Sequence, residues 1–125
     1  MLKPKALDHV GIIVTDMDRS LRFYTEGLGL KLLRRRGAGR DAFAALKIGD
    51  LEFNVFCNPT LVSEGAAQHV DHLCLAMDYP TIDDLIAALN DAGIGIASGP
   101  VKRSDGNALF VRDPDGLRVE LLVKE

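Results

Sequence analysis

A short segment of this 125-residue chain occurs twice, and the repeat limits the possible folds more than any other feature. Residues 7–14 read LDHVGIIV, and residues 70–77 read VDHLCLAM. Each copy places Asp-His at the start of an apolar run with the length of a strand. Because self-similarity along a chain indicates duplicated structural units, the sequence predicts two copies of one small motif.

The elements predicted after each copy also follow the same order. A polar stretch with Gly and Pro at about residues 59–68 is interpreted as the linker between the copies. In the first half we predict a strand at 6–14, a helix that begins after Thr15 or Asp16 and ends at Gly27 or Gly29, and strands at 30–35, 41–48 and 51–57. In the second half we predict a strand at 70–77, a helix that begins after Thr81 and ends at Gly93, and strands at 94–97 (with an extension beyond left open), 107–112 and 117–123. The fold class is therefore α+β, with one domain built from two βαβββ modules at about 6–58 and 69–124.

Composition excludes several functions. The net charge of -3 and the pI of about 5.6 disfavour non-specific binding to nucleic acid or to an anionic membrane. No apolar run approaches the ~20 residues of a spanning helix, and the first residues lack the apolar core of a signal peptide. The two cysteines, Cys57 and Cys74, are too few for a disulfide framework and are expected to be buried free thiols. The expected location is the cytoplasm.

The alternation of side chains along a strand places each repeated histidine beside small residues. In the first strand His9 shares its face with Gly11 and Ile13. In the repeated strand His72 shares its face with Cys74 and Ala76. The opposite faces carry larger aliphatic side chains, which suit packing against helices. Small neighbours leave space above the histidines, and a close-packed core face would not leave such space empty.

Glu120 lies in an apolar strand near the C-terminus, where a buried carboxylate is costly unless it is paired or bound to a metal. Alone, each such residue is more often an ordinary core or surface residue than a ligand. Together, His9, His72 and Glu120 form a ligand set that suits Fe, Ni, Zn, Co or Mn. Asn54 occupies the repeat position of Glu120, as a weak fourth ligand or a hydrogen-bonding partner of metal-bound water. His69 has no repeat partner and is predicted to be a surface residue.

Basic residues near the strand ends are the other candidates for binding. Alternation places Arg35 on the opposite face from Arg34 and Arg36. Four cations lie where they could contact an anionic substrate, although we prefer to interpret each as a solvated surface charge: Arg36, Arg40, Lys102 and Arg103.

Three segments, LDHVGIIVTDMDRSLRFYTEGLGLKL, HVDHLCLAM and FVRDPDGLRVELL, resemble the vicinal oxygen chelate superfamily of glyoxalases, bleomycin resistance proteins and ring-cleaving dioxygenases. The resemblance covers nearly the whole chain. It implies that the two modules form a cup-shaped mixed sheet with helices outside, around one divalent metal. It also implies ligands from the first and fourth strands of each module, at positions His9, Asn54, His72 and Glu120. Members of the superfamily chelate adjacent oxygens of a small substrate to the metal.

Asn54 departs from part of that superfamily. Glyoxalase I commonly has an acidic residue at this position, whereas a His-His-Glu set matches ring-cleaving dioxygenases and fosfomycin-inactivating enzymes. The resemblance therefore implies that His9, His72 and Glu120 hold the metal, and that Glu120 and Asn54 are the catalytic residues. Glu52, two residues away on the same face, remains an alternative ligand or base.

Three functions remain open from the sequence. The first is a metal-dependent lyase, isomerase or ring-cleaving dioxygenase that acts on a small oxygen-bearing substrate. The second is a metal-free binding protein of the bleomycin-resistance type, which the two histidines, the absence of Trp and the 6% aromatic content disfavour. The third is a structural or regulatory domain without chemistry. Only 18 positions separate Asn54 from His72, and so short a link favours a homodimer in which modules of two chains combine.

Overall fold

The computed structural model describes residues 1, 3–61 and 72–125. The chain divides into two compact units, Met1–Val62 and Ser63–Glu125. Most of the predicted linker, the predicted surface residue His69 and the start of the predicted strand at 70–77 lie outside the described residues.

The first unit contains one mixed four-stranded sheet. Its strands pair in the order β1-β4-β3-β2, with β1 parallel to β4 and the other neighbours antiparallel. A π-helical segment, Arg22–Gly27, continues the first helix, and a 3-10 turn, Gly39–Asp41, precedes β3. The elements are β1 His9–Val14, α1 Met17–Leu21, β2 Lys31–Arg36, β3 Phe43–Ile48 and β4 Leu51–Cys57.

Local sequence explains where α1 begins. Asp16 has an extended backbone, and its side chain accepts a hydrogen bond from the Arg19 amide at 3.0 Å. The apolar stripe faces the sheet, and Leu21 and Tyr24 are buried. The helical path ends before Gly29, which has a φ of +83°. The predicted helix is confirmed, whereas its π-helical second half was not predicted.

The second unit repeats the first. Its strands pair in the order β5-β8-β7-β6, again with the first strand parallel to the fourth. The helix α2 begins after Thr81, whose side chain accepts a hydrogen bond from the Asp84 amide at 3.2 Å. The elements are β5 Leu73–Ala76, α2 Ile82–Asp91, β6 Ser98–Arg103, β7 Gly106–Arg112 and β8 Arg118–Val123. The predicted α+β class with two βαβββ modules is confirmed.

One predicted strand forms later in the chain than expected. The strand expected at 94–97, with an extension beyond left open, forms at Ser98–Arg103 as β6. This segment contains Pro100, and proline cannot donate to a sheet ladder. However, β6 is an edge strand, and its register with β7 shifts between Ser98 and Val101. An edge position with an irregular register tolerates the missing donor.

No helix among residues 1, 3–61 and 72–125 is long and apolar enough to cross a membrane. The cytoplasmic location expected from the sequence stays a prediction.

Candidate functional site

The strand registers place the repeated polar residues at equivalent points of the two sheets. In the first sheet Gly11 is the Cα partner of Asn54. In the second sheet Cys74 is the Cα partner of Glu120. Asn54 on β4 and Glu120 on β8 therefore each lie opposite a small residue. In each module that small residue follows the repeated histidine by two positions. The repeat alignment that equates Asn54 with Glu120 is confirmed within each sheet.

His9 is well placed to act as a ligand through one ring nitrogen. Its side chain is 55% exposed, and Nδ1 donates to Oδ2 of Asp8 at 2.9 Å. A carboxylate bonded to one nitrogen of a histidine fixes the ring and leaves the other nitrogen, Nε2, as the metal-binding atom. His9 and Asp8 therefore have the arrangement of a ligand and its supporting acceptor.

Asn54 is a buried residue with an unsatisfied oxygen. It is 9% exposed, and its Oδ1 has no hydrogen-bond partner among residues 1, 3–61 and 72–125. A buried carbonyl oxygen without a partner costs about 1 to 3 kcal/mol. Such an orphaned acceptor in a native structure is accounted for by a bound water, ion or ligand. This oxygen fits the predicted role of a weak ligand or of a partner for metal-bound water.

Glu52, the alternative ligand, is already fully paired. Both of its carboxylate oxygens accept hydrogen bonds from Arg34, at 2.9 Å and 3.0 Å. The hydrogen bond from Arg34 holds the pKa of Glu52 below its ordinary value. A bidentate Arg–carboxylate pair has no oxygen to spare, so this arrangement disfavours Glu52 as the ligand.

Glu120 is a buried carboxylate with one cation beside it. The residue is 8% exposed, and its Oε1 accepts a hydrogen bond from Nη2 of Arg103 at 2.8 Å. Burial raises the pKa of Glu120, but the hydrogen bonds from Arg103 and the Cys74 thiol outweigh burial, and the pKa lies below its ordinary value. Glu120 is therefore ionised at neutral pH, as a metal ligand must be.

His72 lies on the same side of the second sheet. Its ring meets the Phe110 ring edge-on, with centroids 5.7 Å apart and an interplanar angle of 79°. The charge of His72 is close enough to contribute to the lowered pKa of Glu120. The second unit thus brings a predicted imidazole ligand near the predicted carboxylate ligand.

The predicted ligand set is divided between the two units. His9 and Asn54 belong to the first unit, and His72 and Glu120 belong to the second. Within residues 1, 3–61 and 72–125, no three His, Cys, Asp or Glu side chains lie close enough together to hold a metal ion. The chemistry of the donors fits a divalent metal, but the joint site remains a prediction.

Two residues that contact Glu120, Arg103 and Cys74, were not predicted from the sequence to do so. Arg103, interpreted as a solvated charge, is instead the ion-pair partner of Glu120. Cys74, expected to be buried, is exposed, and desolvation together with the Glu120 carboxylate raises the pKa of its thiol to about 11. Cys57 is buried as expected. Extending the predicted sixth strand past Pro100 would have pointed to Arg103.

The three consecutive arginines alternate as predicted. Arg34 bonds to Glu52 on the histidine face, and the Arg36 guanidinium lies 4.4 Å from the centroid of the Phe43 ring. Arg35 instead bonds to Asp18 of α1 at 2.6 Å.

A cavity of about 290 Å³ lies beside α1 in the first unit. The Arg35–Asp18 pair lines it, together with Cys57, whose thiol donates to the Thr15 carbonyl at 3.8 Å. None of the predicted metal ligands lines this cavity.

Comparison with known protein families identifies the superfamily to which the chain belongs. The family model of the Glyoxalase/Bleomycin resistance protein/Dioxygenase superfamily matches residues 6–121. The chain belongs to this superfamily. The membership of this superfamily that the sequence predicts is therefore confirmed over nearly the whole chain.

Individual relatives carry different names. The chain is 30% identical to a probable lactoylglutathione lyase of Vibrio parahaemolyticus, over 91% of this chain and 87% of that protein. It is 31% identical to a virulence protein of Salmonella typhimurium, over 92% of this chain and 81% of the relative. It spans only 34% of a probable chloroplastic lactoylglutathione lyase of Arabidopsis thaliana, at 30% identity over 91% of this chain.

A solved structure confirms the fold. A glyoxalase/dioxygenase from Nostoc punctiforme superposes with a TM-score of 0.81 at 26% identity, covering 100% of this chain and 97% of that chain.

Proposed function

We propose that this glyoxalase-superfamily chain is a divalent-metal-dependent enzyme that acts on a small oxygen-bearing molecule. The observation that carries the proposal is the matched register of Asn54 and Glu120, each buried opposite a small residue. An amide oxygen with no hydrogen-bond partner in the described part of the chain and an ionised carboxylate, at equivalent positions, are suited to one polar ligand. Repeated histidines on the same strand faces supply the remaining donors.

In this proposal His9, His72 and Glu120 hold the metal, and each has a supporting contact. Asp8 orients the His9 ring, Phe110 packs against His72, and Glu120 is kept ionised by its neighbours. When bound, a divalent metal polarises substrate oxygens as a Lewis acid or binds dioxygen. The Asn54 amide would accept a hydrogen bond from, or donate one to, the group that fills the remaining position.

The reaction class follows from the metal and from the number of carboxylates. The relatives named lactoylglutathione lyases favour lyase chemistry, for which nickel or zinc is the expected metal. With Asn54 in place of an acid, Glu120 is the single carboxylate among the four predicted ligand positions, so a proton transfer by these residues would need Glu120 to serve as both ligand and base. Iron would instead favour oxygen chemistry.

A second candidate is a metal-free small-molecule binding protein of the bleomycin-resistance type. One observation favours it. The Arg103 guanidinium already compensates the charge of Glu120, so burial of this carboxylate does not by itself require a metal. Two exposed apolar side chains on the histidine face, Ile13 at 52% and Phe56 at 45%, would contact an apolar ligand.

We also propose that the site is completed in a homodimer, with His9 and Asn54 of one chain acting beside the second module of its partner. Mixing a His9→Ala chain with a His72→Ala chain tests this arrangement. In a mixed dimer of this kind, one of the two sites would combine the two unmutated modules. Metal binding would therefore be recovered at that site. A site formed within one chain would show no recovery.

The enzyme proposal is tested by assaying metal-free protein reconstituted separately with Fe, Ni, Zn, Co and Mn. The first substrate is the thiohemiacetal of glutathione and methylglyoxal, with formation of lactoylglutathione as the readout, and the second is a catechol, with ring cleavage as the readout. Metal-dependent turnover that His72→Ala abolishes supports the proposal. Ligand binding without metal uptake supports the binding protein instead.

A further inference from the structure

Glu120 and Glu52 are both paired with arginine, but the two pairs differ in geometry. The two terminal guanidinium nitrogens of Arg34 donate hydrogen bonds to Glu52, one to each carboxylate oxygen. The Arg103 contact to Glu120 is a single hydrogen bond to Oε1. A single contact holds a carboxylate less firmly than a two-pronged one and occupies fewer of the lone pairs with which the carboxylate can bind another cation.

Arg103 is also placed where it can move. It is the last residue of β6, an edge strand, and its side chain is 41% exposed. The ring of Phe110 lies 5.9 Å from its guanidinium carbon, so the side chain rests on an aromatic face when it bonds to Glu120. A small rotation would carry the cation from the buried carboxylate into solvent.

A divalent metal and a guanidinium on one carboxylate repel each other. Both cations would act on a carboxylate that is only 8% exposed, where charges are screened less than in bulk water. Metal binding at Glu120 therefore favours departure of Arg103, and Arg103 in turn weakens the metal. By thermodynamic reciprocity, removal of the competing cation must tighten metal binding.

We propose that Arg103 is a positioning residue that holds Glu120 in the metal-free protein and leaves the carboxylate when the metal binds, so that it sets the metal affinity. The inference rests on the proposed metal site. It explains how a buried carboxylate is tolerated before metal arrives, since an unpaired buried charge is strongly destabilising.

The test measures zinc affinity by chelator competition in the full chain and in three variants. Arg103→Gln keeps hydrogen-bonding capacity without the charge and is expected to bind zinc about tenfold more tightly. Arg103→Lys keeps the charge and is expected to stay within about threefold of the wild type. Arg35→Gln, the control, breaks an Arg–Asp pair on the opposite face of the first sheet from the proposed ligands and should leave the affinity unchanged.

A second measurement uses the unaltered protein, so it does not depend on the folding of a variant. The side-chain Nε–Hε signals of the arginines are followed by NMR during zinc titration, with the Arg103 signal assigned from the spectrum of Arg103→Lys. Zinc should shift the Arg103 signal and leave in place the signal of Arg35, which bonds to Asp18 on the opposite face of the first sheet.

The outcomes separate this inference from the function on which it rests. Tighter binding by Arg103→Gln with a zinc-dependent Arg103 signal supports the inference. If zinc affinity weakens or stays constant in Arg103→Gln, or tightens in Arg35→Gln, the inference is overturned while a metal site remains. A wild-type protein that binds no divalent metal overturns the proposed function as well.

Discussion

Cys74 lies opposite Glu120 across β5 and β8, and its thiol donates a hydrogen bond to the Glu120 carboxylate. Partial desolvation and this carboxylate together raise the pKa of the thiol to about 11. An exposed cysteine is thereby kept in its neutral, weakly nucleophilic form at physiological pH. The thiol also helps to keep Glu120 ionised.

The first prediction concerns the reactivity of that thiol. In a Cys57→Ala background, Glu120→Gln removes the carboxylate charge, so the pKa of Cys74 should fall from about 11 toward the ordinary value of 9.0. Because the thiolate is the nucleophile, alkylation by iodoacetamide at pH 8 should become at least about tenfold faster. Glu52→Gln in the same background is the control and should leave the rate unchanged. An equal rate in both variants would show that the thiol does not sense Glu120.

The second prediction concerns the unsatisfied oxygen of Asn54. Asn54→Asp places a buried charge there and should lower the free energy of unfolding of the metal-free protein by about 3 kcal/mol. The same substitution adds a second carboxylate and should tighten divalent-metal binding about tenfold or more. Denaturant unfolding and chelator competition measure the two effects. Weaker metal binding by Asn54→Asp would mean that this position lies away from the metal.

A matched pair of variants separates the effect of the Asn54 oxygen on the free energy of unfolding from its effect on metal binding. Asn54→Leu and Ser20→Ala each remove a buried oxygen that has no hydrogen-bond partner among residues 1, 3–61 and 72–125. Neither should lower the free energy of unfolding by more than about 1 kcal/mol, because an unsatisfied polar atom is lost. Only Asn54→Leu should weaken metal binding. Equal metal affinity in the two variants would exclude Asn54 from the site.

The third prediction is a pH dependence of stability. The folded-state pKa of Glu120 is lowered, so its contribution to stability is present above the ordinary value of 4.5 and is lost as pH falls through the folded value. Arg103→Gln should therefore lower the free energy of unfolding by about 1 kcal/mol at pH 7 and by much less at pH 3. The figure is modest because Arg103 is 41% exposed and screened by water. An equal loss at both pH values would indicate lost packing rather than a lost ion pair.

The fourth prediction concerns the loop after β2. Gly37 has a φ of +72°, and a Cβ added there would lie 2.3 Å from the carbonyl oxygen of Asp41. Gly37→Ala should lower the free energy of unfolding by about 3 kcal/mol or more, since backbone strain and a backbone clash add. Gly29 has a φ of +83° with no atom within 4 Å of an added Cβ, so Gly29→Ala should cost only about 1 kcal/mol. Similar losses in the two variants would contradict the clash with Asp41.

The parts of the fold that depend on local signals could be predicted from the sequence. Asp16 and Thr81 cap the two helices because their side-chain oxygens reach amides three residues later, a short-range effect. Alternation along strands placed Arg35 opposite its two neighbours for the same reason. No comparable signal in the sequence indicates the π-helical continuation of α1, because the spacing of its apolar residues also suits an ordinary α-helix.

The Arg103–Glu120 pair could not be predicted because it depends on the register between strands. Its partners lie 17 residues apart and are separated by β7 along the chain. The strand predicted at 94–97 did not include Arg103, and its charge was interpreted as solvated. Asn54 was found through the repeat, but its unsatisfied oxygen depends on neighbours that only the folded sheet brings near.

The most direct test of the account is the metal content of the protein, purified without an affinity tag and measured by elemental mass spectrometry. The account predicts about one Fe, Ni, Zn, Co or Mn ion per chain. This content should be lost in His9→Ala and in His72→Ala, and retained in His69→Ala, which removes the third histidine. No metal in the wild type, and none taken up on reconstitution, would contradict the enzyme proposal and leave the metal-free binding protein as the better account.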